Sequence, residues 1–189
     1  MKTLLIAAAA LTASASAFAQ SATYTADPTH TFVIYEIGHF GTSTNRGRFN
    51  IKEGTVQFDR AAKTGKVDVT IDVTSVGTGV EALDKHIRSD EIFDAAKFPI
   101  GRFVGDKFSF NGDKVSGVSG TLTLRGQTHP VTLKANNFNC YNNPMFKREV
   151  CGGDFDTTVA RSQWGVNWGL EYGFPDTTRL LIQVEAIKQ

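Results

Sequence analysis

The chain is 189 residues long and carries 20 Lys and Arg against 19 Asp and Glu, which gives a formal net charge of +1. Its basic residues are not clustered, and no stretch interleaves them with aromatic residues, so the composition excludes nucleic acid as an expected partner. A chain of this length suits one domain with a hydrophobic core of its own.

The first nineteen residues have the three parts of a secretory signal peptide. Lys2 supplies the positive charge, residues 4–11 form a short apolar run, and Ala17-Phe18-Ala19 is an A-x-A cleavage signature. The run is too short for a membrane-spanning helix, and an uncleaved N-terminal anchor is the alternative. We therefore expect a signal peptide at residues 1–19, a single mature domain at residues 20–189 and a periplasmic location, with secretion into the medium left open.

The two cysteines are predicted to form an intrachain disulfide. Cys140 and Cys151 are an even pair in a chain that is expected to reach an oxidising compartment. The ten residues between them do not match the C-x-x-C spacing of redox proteins. A thiolate metal site is the alternative, although it would lack nearby histidines.

Strict alternation of apolar and polar side chains is the dominant pattern in the chain. It is clearest at residues 66–73 and recurs at 55–59, 120–125, 131–136 and 179–186. Such alternation is typical of strands with one buried face, and the glycine-containing turns between several of these segments indicate hairpins.

One segment has a helical pattern instead. Thr78 and Glu81 are spaced as a capping box, which predicts a helix beginning near Gly79 and a second helical piece after Ser89.

A sheet of about eight strands must protect its edges, and closure into a barrel does this completely. An eight-stranded barrel is either filled by side chains or encloses one small ligand. The chain has 14 Phe residues, whose rings carry no polar group and must face a core or an apolar ligand. We therefore predict an all-β fold, a closed antiparallel eight-stranded barrel with a short helical lid segment.

Four groups of short motifs follow one another along nearly the whole mature chain. They are Asp27-Pro28-Thr29-His30-Thr31 with Arg46-Gly47-Arg48-Phe49, His86-Ile87-Arg88-Ser89 with Ile92-Phe93-Asp94, Gly120-Thr121-Leu122-Thr123-Leu124-Arg125-Gly126, and Arg161-Ser162-Gln163-Trp164-Gly165. In this order they resemble the YceI-like family of periplasmic polyisoprenoid-binding proteins. Thr31, Ile87 and Trp164 stand where that family usually has Ser, Leu and Phe, and the bulkier Trp164 is expected to narrow the cavity.

The resemblance implies a lipocalin-like barrel around an elongated apolar cavity. It also implies a carrier for a polyisoprenoid or another long-chain lipid, with isoprenoid quinones and prenyl phosphates among the candidate ligands. Contact with a membrane would be transient. Because the family is not established as catalytic, no catalytic residue, metal ion or cofactor is expected. The sequence does not specify an oligomeric state.

Alternation also assigns the inward faces of the strands. On the first long strand, Val33, Tyr35, Ile37 and His39 are predicted to face inward, because the opposite set contains Glu36, the only charged residue of that strand. The candidate ligand-binding residues are Val33, Tyr35, Ile37, His39, Val69, Ile71, Arg88, Phe103, Leu122, Leu124 and Trp164.

Few polar side chains are candidates for recognising a ligand. Arg88 is predicted to meet an anionic head group at the cavity mouth, and a lid salt bridge with Asp84, one helical turn away, is the alternative. His39 could recognise a quinone oxygen or a phosphate. His30 and His86 are predicted to hydrogen-bond backbone groups and so fix loops, with a metal site assembled across strands as the alternative.

Two other classes of function stay open at this point. An enzyme acting on an isoprenoid lipid would need titratable groups that converge in the cavity. A filled barrel could act only through its surface. The length of the ligand also matters, because an eight-residue strand gives a barrel about 20 Å tall and an extended tail of eight isoprene units is roughly twice as long.

Overall fold

The computed structural model describes residues 21–189, and the predicted signal peptide at 1–19 lies outside the described residues. In chain order the elements are β1 (Ala22–Ala26), β2 (Phe32–His39), β3 (Ser43–Asp59), β4 (Thr64–Gly77), α1 (Glu81–Arg88), β5 (Ile100–Asn111), β6 (Lys114–Leu124), β7 (Gln127–Asn143), β8 (Arg148–Ala160), a 3₁₀ turn (Arg161–Trp164) and β9 (Thr177–Lys188). No helix within residues 21–189 is long and apolar enough to cross a membrane.

Eight strands close into one antiparallel barrel. Each strand from β2 to β9 pairs with the next one along the chain, and β9 returns to pair with β2. The short strand β1 pairs with β3 and β9 beyond the start of β2, so β1 and β2 share one position in the ring. The prediction of an all-β, closed eight-stranded barrel with a helical lid segment is therefore confirmed.

The break between β1 and β2 is held by the motif at residues 27–31. The carboxylate of Asp27 accepts hydrogen bonds from the N–H and the hydroxyl of Thr29 at 2.8 and 2.7 Å, and its other oxygen lies 2.8 Å from Nδ1 of His30. The hydroxyl of buried Thr31 donates to the carbonyl of Glu185 at 3.1 Å and accepts from its N–H at 3.2 Å. Thr31 thus replaces the pairing with β9 that the backbone loses at the break. The ring of His30 therefore bonds to side chains of the same loop, whereas a bond to a backbone group was predicted.

The two ends of the barrel differ. We call one the lid end, where α1, the turns at residues 89–99 and the segment 161–176 lie. The opposite end carries the β7–β8 hairpin, and we call it the disulfide end. Cys140 and Cys151 face each other across this hairpin and form the predicted disulfide. Residues 89–99 form turns, so the prediction of a second helical piece is wrong.

The start of α1 differs from the predicted capping box. The helix begins at Glu81, with Val80 as its N-cap residue and no side chain that caps it. The hydroxyl and the N–H of Thr78 instead donate to the carboxylate of Asp84 at 2.6 and 2.7 Å. Gly79 has a φ of +84°, which turns the chain between Thr78 and the helix. The acidic partner of Thr78 is therefore Asp84, three residues into the helix, rather than Glu81 at its start.

Candidate ligand-binding cavity

The barrel encloses a long cavity of about 430 Å³. Tyr24, Val115 and Phe138 line it towards the disulfide end, and Trp168 and Phe174 line it at the lid end. The interior is therefore not filled by side chains, and the alternative of a filled barrel does not apply.

Most of the predicted binding residues lie on the cavity wall. Ten of the eleven are in its lining, namely Val33, Tyr35, Ile37, His39, Val69, Ile71, Phe103, Leu122, Leu124 and Trp164. The first four are the set that alternation assigned to the interior of β2, and Glu36 on the other face pairs with Arg46 at 2.7 Å. Alternate side chains of β9 also line the cavity. Most of the lining is therefore aliphatic or aromatic.

Two inward aromatic residues are held in place by backbone contacts. Trp164 is 2% exposed, and its Nε1 donates to the carbonyl of Leu122 at 3.0 Å. Tyr35 lies opposite Gly47 on β3, where an added Cβ would come within 2.4 Å of the tyrosine ring. Burial, with a smaller contribution from the charge of Asp84, raises the pKa of Tyr35 to about 12. The phenol therefore stays neutral at physiological pH.

Arg88 is the one predicted binding residue outside the lining. Its Nη1 donates to the carbonyl of Val76 at 3.2 Å, which ties α1 to the end of β4. The alternative salt bridge with Asp84 is also absent among the described residues, because the carboxylate of Asp84 accepts from Thr78 instead. Arg88 thus connects the helix to the end of β4, and it is not among the residues that line the cavity.

An aromatic cluster narrows the disulfide end. The ring of Phe58 packs against those of Tyr24, Phe108, Phe110 and Phe138, with centroids 5.8 to 6.5 Å apart. The hydroxyl of Tyr24 donates to the carboxylate of Glu149 at 2.6 Å, and burial raises the pKa of Tyr24 strongly. This end of the cavity therefore presents aromatic carbon, and its one buried hydroxyl already has a partner.

The lid end is also aromatic, but it carries polar side chains. Trp168 lies against His86 at 4.6 Å between ring centroids and against Phe174 at 5.4 Å, so it joins α1 to the segment 161–176. Phe174 in turn contacts the inward His39 at 5.3 Å. Nδ1 of His86 is 3.2 Å from the carboxylate of Glu91, so the ring faces a side chain rather than the backbone group that was predicted.

Sequence reasoning missed two polar residues of this end, Arg161 and Thr178. Both are buried, at 9% and 8% exposure, and both line the cavity. The alternation of β9 could have found Thr178, since it continues the inward series of Leu180 and Ile182 by one step. Arg161 was visible only as part of a motif, and nothing in the sequence marks its guanidinium as buried.

A closed antiparallel barrel around a long apolar cavity is the architecture of small lipid-binding barrels. The sequence pattern of the YceI-like domain matches residues 24–186, and the chain belongs to this family. A UPF0312 protein of Pseudomonas paraeruginosa is 34% identical over 161 residues, which are 85% of this chain and 83% of the relative. A UPF0312 protein of Shewanella denitrificans is 39% identical over 107 residues, 56% of each chain.

Solved structures share the fold. A YCEI protein of Campylobacter jejuni is 26% identical, with a TM-score of 0.67 over 80% of this chain and 90% of that one. BcnA of Burkholderia cenocepacia has a TM-score of 0.70 at 22% identity and covers 85% and 98% of the two chains. A polyisoprenoid binding domain from Saccharophagus degradans has a TM-score of 0.63 at 15% identity, over 90% and 100%. At such identities the last two show the fold alone.

Proposed function

We propose that this protein is an exported carrier that binds one long-chain lipid, of the polyisoprenoid type, inside its barrel. The observation that carries the proposal is the continuous apolar cavity between the two ends. Burial of a hydrocarbon tail there contributes about 0.8 kcal/mol per CH₂ group, less the cost of immobilising the chain. The name of the Saccharophagus degradans neighbour supports a polyisoprenoid as the tail.

The height of the barrel supports a long tail. The strands β3 and β7 each have 17 residues. Strands of that length, tilted as barrels require, reach roughly 40 Å along the barrel axis. This is about twice the eight-residue minimum, and it matches the extended length of eight isoprene units.

Two features of the chain support a periplasmic location. Residues 1–19 have the pattern of a cleaved signal peptide, and the disulfide between Cys140 and Cys151 suits an oxidising environment. We place the carrier in the periplasm, where a lipid crossing the aqueous space between two membranes needs its tail shielded from water.

An enzyme acting on the same lipid is the competing class. The cavity lining is dominated by apolar side chains, and its buried tyrosines are held neutral by burial. Binding therefore accounts for the site without a catalytic step. Incubation with a bound lipid separates the two classes, because a carrier returns the lipid chemically unchanged.

Native mass spectrometry of protein purified from its own periplasm tests the proposal, followed by organic extraction of the bound molecule. We expect a mass increase equal to one lipid per chain and recovery of a long-chain lipid in the extract. A bare polypeptide mass, together with no uptake of added polyisoprenoids, would contradict the carrier.

A further inference from the structure

Within residues 21–189, three buried side-chain atoms have no hydrogen-bond partner, and all three belong to residues that line the lid end of the cavity. They are Nη2 of Arg161, Oγ1 of Thr178 and Nε2 of His86. A buried polar atom without a partner costs about 1–3 kcal/mol, and more when the group is charged. Three such atoms at one end of an otherwise apolar cavity indicate a polar group that binds there.

The guanidinium of Arg161 is fixed with one edge free. Its Nε donates to the carbonyl of Pro175 at 3.0 Å, and its Nη1 donates to the carbonyls of Val166 and Trp168 at 2.7 and 2.8 Å. These three acceptors are neutral. They orient the group and leave Nη2 as a buried donor without an acceptor.

The positive charge of Arg161 is not neutralised by an ion pair in the described part of the chain. The nearest carboxylate named with it, that of Asp176, accepts from the N–H and the hydroxyl of Ser162 at 2.8 and 2.7 Å. Burial lowers the pKa of Arg161, and Asp176 opposes this only in part. A buried cation in this state is stabilised by an anion that supplies the missing charge and the missing acceptor.

Thr178 lies at the same level of the barrel. The N–H of Arg161 donates to the carbonyl of Asp176 at 3.0 Å, and Thr178 pairs with Val159 across β8 and β9. His86 reaches this end from α1. Because its Nδ1 faces the carboxylate of Glu91, its Nε2 can accept from a protonated oxygen, or donate when the ring is charged.

We propose that Arg161 and Thr178 form a head-group site for an oxyanion, a phosphate or a carboxylate, at the end of the apolar tail. The ligand would enter this site head towards the lid, with its tail running to the aromatic cluster at the disulfide end. This inference rests on the proposed function, because it assigns the polar end of the same cavity. It replaces Arg88 by Arg161 as the cation that meets the head.

Matched pairs of probes test the site. Delipidated protein is titrated with geranylgeranyl monophosphate, geranylgeraniol, palmitate and 1-hexadecanol, and each Kd is measured by displacement of a fluorescent apolar probe. We expect at least one anion to bind about tenfold or more tightly than its alcohol, as for hydrogen bonds to a charged group. The phosphate and carboxylate arms show which oxyanion the site prefers.

Two variants locate the preference. Arg161→Gln should bring the anion-to-alcohol ratio close to one, and Thr178→Val should lower it several-fold. The ratio is the readout, because a change in tail binding affects an anion and its alcohol alike. Thr132→Val is the control, because it removes a hydroxyl that pairs with Ser119 at 2.9 Å on the exposed face of the barrel. Thr178→Val decides the matter if Arg161→Gln does not fold.

The outcomes separate this inference from the proposed function. Equal binding of anions and alcohols, or a preference that both variants retain, overturns the head-group site and leaves the tail carrier intact. Failure of all four probes to bind overturns the carrier itself. A preference that is lost in the variants and kept in Thr132→Val supports both.

Discussion

At the residue scale, single side chains make hydrogen bonds that the alternating pattern does not predict. Thr31 restores the link to β9 where the strand breaks, and Thr78, which follows β4, donates to Asp84 inside α1 rather than capping the helix. Patterns of period two assign the inward face of a strand, because that face follows from the geometry of the backbone. They can place Thr178 inside the barrel, but they cannot say which buried polar atom lacks a partner. The unpartnered atoms of Arg161 and Thr178 therefore appear only in the structure.

The pair His30 and Asp27 should give a titration that can be measured. The hydrogen bond that Nδ1 of His30 donates to the carboxylate of Asp27, together with the negative charge of that carboxylate, raises the pKa of His30 above its ordinary value of 6.5. The stability that this pair contributes is therefore fully present below pH 6.5 and is lost as the pH rises through the raised value.

Asp27→Asn tests this by NMR titration of the His30 ring. We expect the pKa of His30 to fall towards 6.5 in the variant, and the difference in unfolding free energy between variant and wild type to shrink above the raised pKa. A His30 pKa that is the same in both proteins would contradict the assignment.

At the scale of elements, the strands and the helix α1 were largely predictable, and the turns and the segment 161–176 of the lid end were not. The alternation at 66–73 lies within β4, and the turns predicted around Gly112 and Gly126 separate β5 from β6 and β6 from β7. The sequence of segment 161–176 shows neither the alternation of a strand nor the periodicity of a helix. Its conformation depends on contacts such as those of the Arg161 side chain with the carbonyls of Val166 and Trp168. No sequence pattern predicts these contacts.

The disulfide should stabilise the β7–β8 hairpin without being needed for the fold. Cys140→Ala is expected to lower the free energy of unfolding by roughly 3 kcal/mol, since the bond closes a short loop in the unfolded chain. Chemical denaturation measures the loss, and the double variant with Cys151→Ala should lose about as much. Two reactive thiols per chain in denatured, unreduced protein would show that the bond is absent.

The lid should loosen when its link to β4 is cut. Thr78→Val removes the hydroxyl that donates to Asp84, and that bond holds the pKa of Asp84 below its ordinary value. The bond from the N–H of Thr78 remains. Amide hydrogen exchange in α1 should quicken, because the end of β4 then holds the helix less firmly. Thr74→Val is the matched control, because Thr74 makes a similar bond to Asp72 outside the lid. Equal exchange in α1 for both variants would mean that Thr78 does not hold the lid.

At the scale of the whole molecule, the closed barrel and its cavity follow from two features of the sequence. Antiparallel strands with short turns favour closure of the sheet, and the many Phe residues fix an apolar interior. The size of the cavity could not be predicted, because an eight-stranded barrel is compatible with a filled or a hollow interior. The direction of the ligand within it depends on Arg161, which no pattern in the chain reveals as buried.

Filling the cavity and then measuring lipid binding tests most directly whether the lipid binds inside the barrel. Val69 lines the cavity on β4, and Val104 lies beside Phe103 on β5 outside the lining. Val69→Trp should fold and lose its affinity for the lipid extracted from the native protein, because the indole occupies the path of the tail. Val104→Trp adds the same bulk to the outside and should bind as the wild type does. If folded Val69→Trp binds the lipid with unchanged affinity, the ligand does not lie in the barrel, and the protein is not the carrier that we propose.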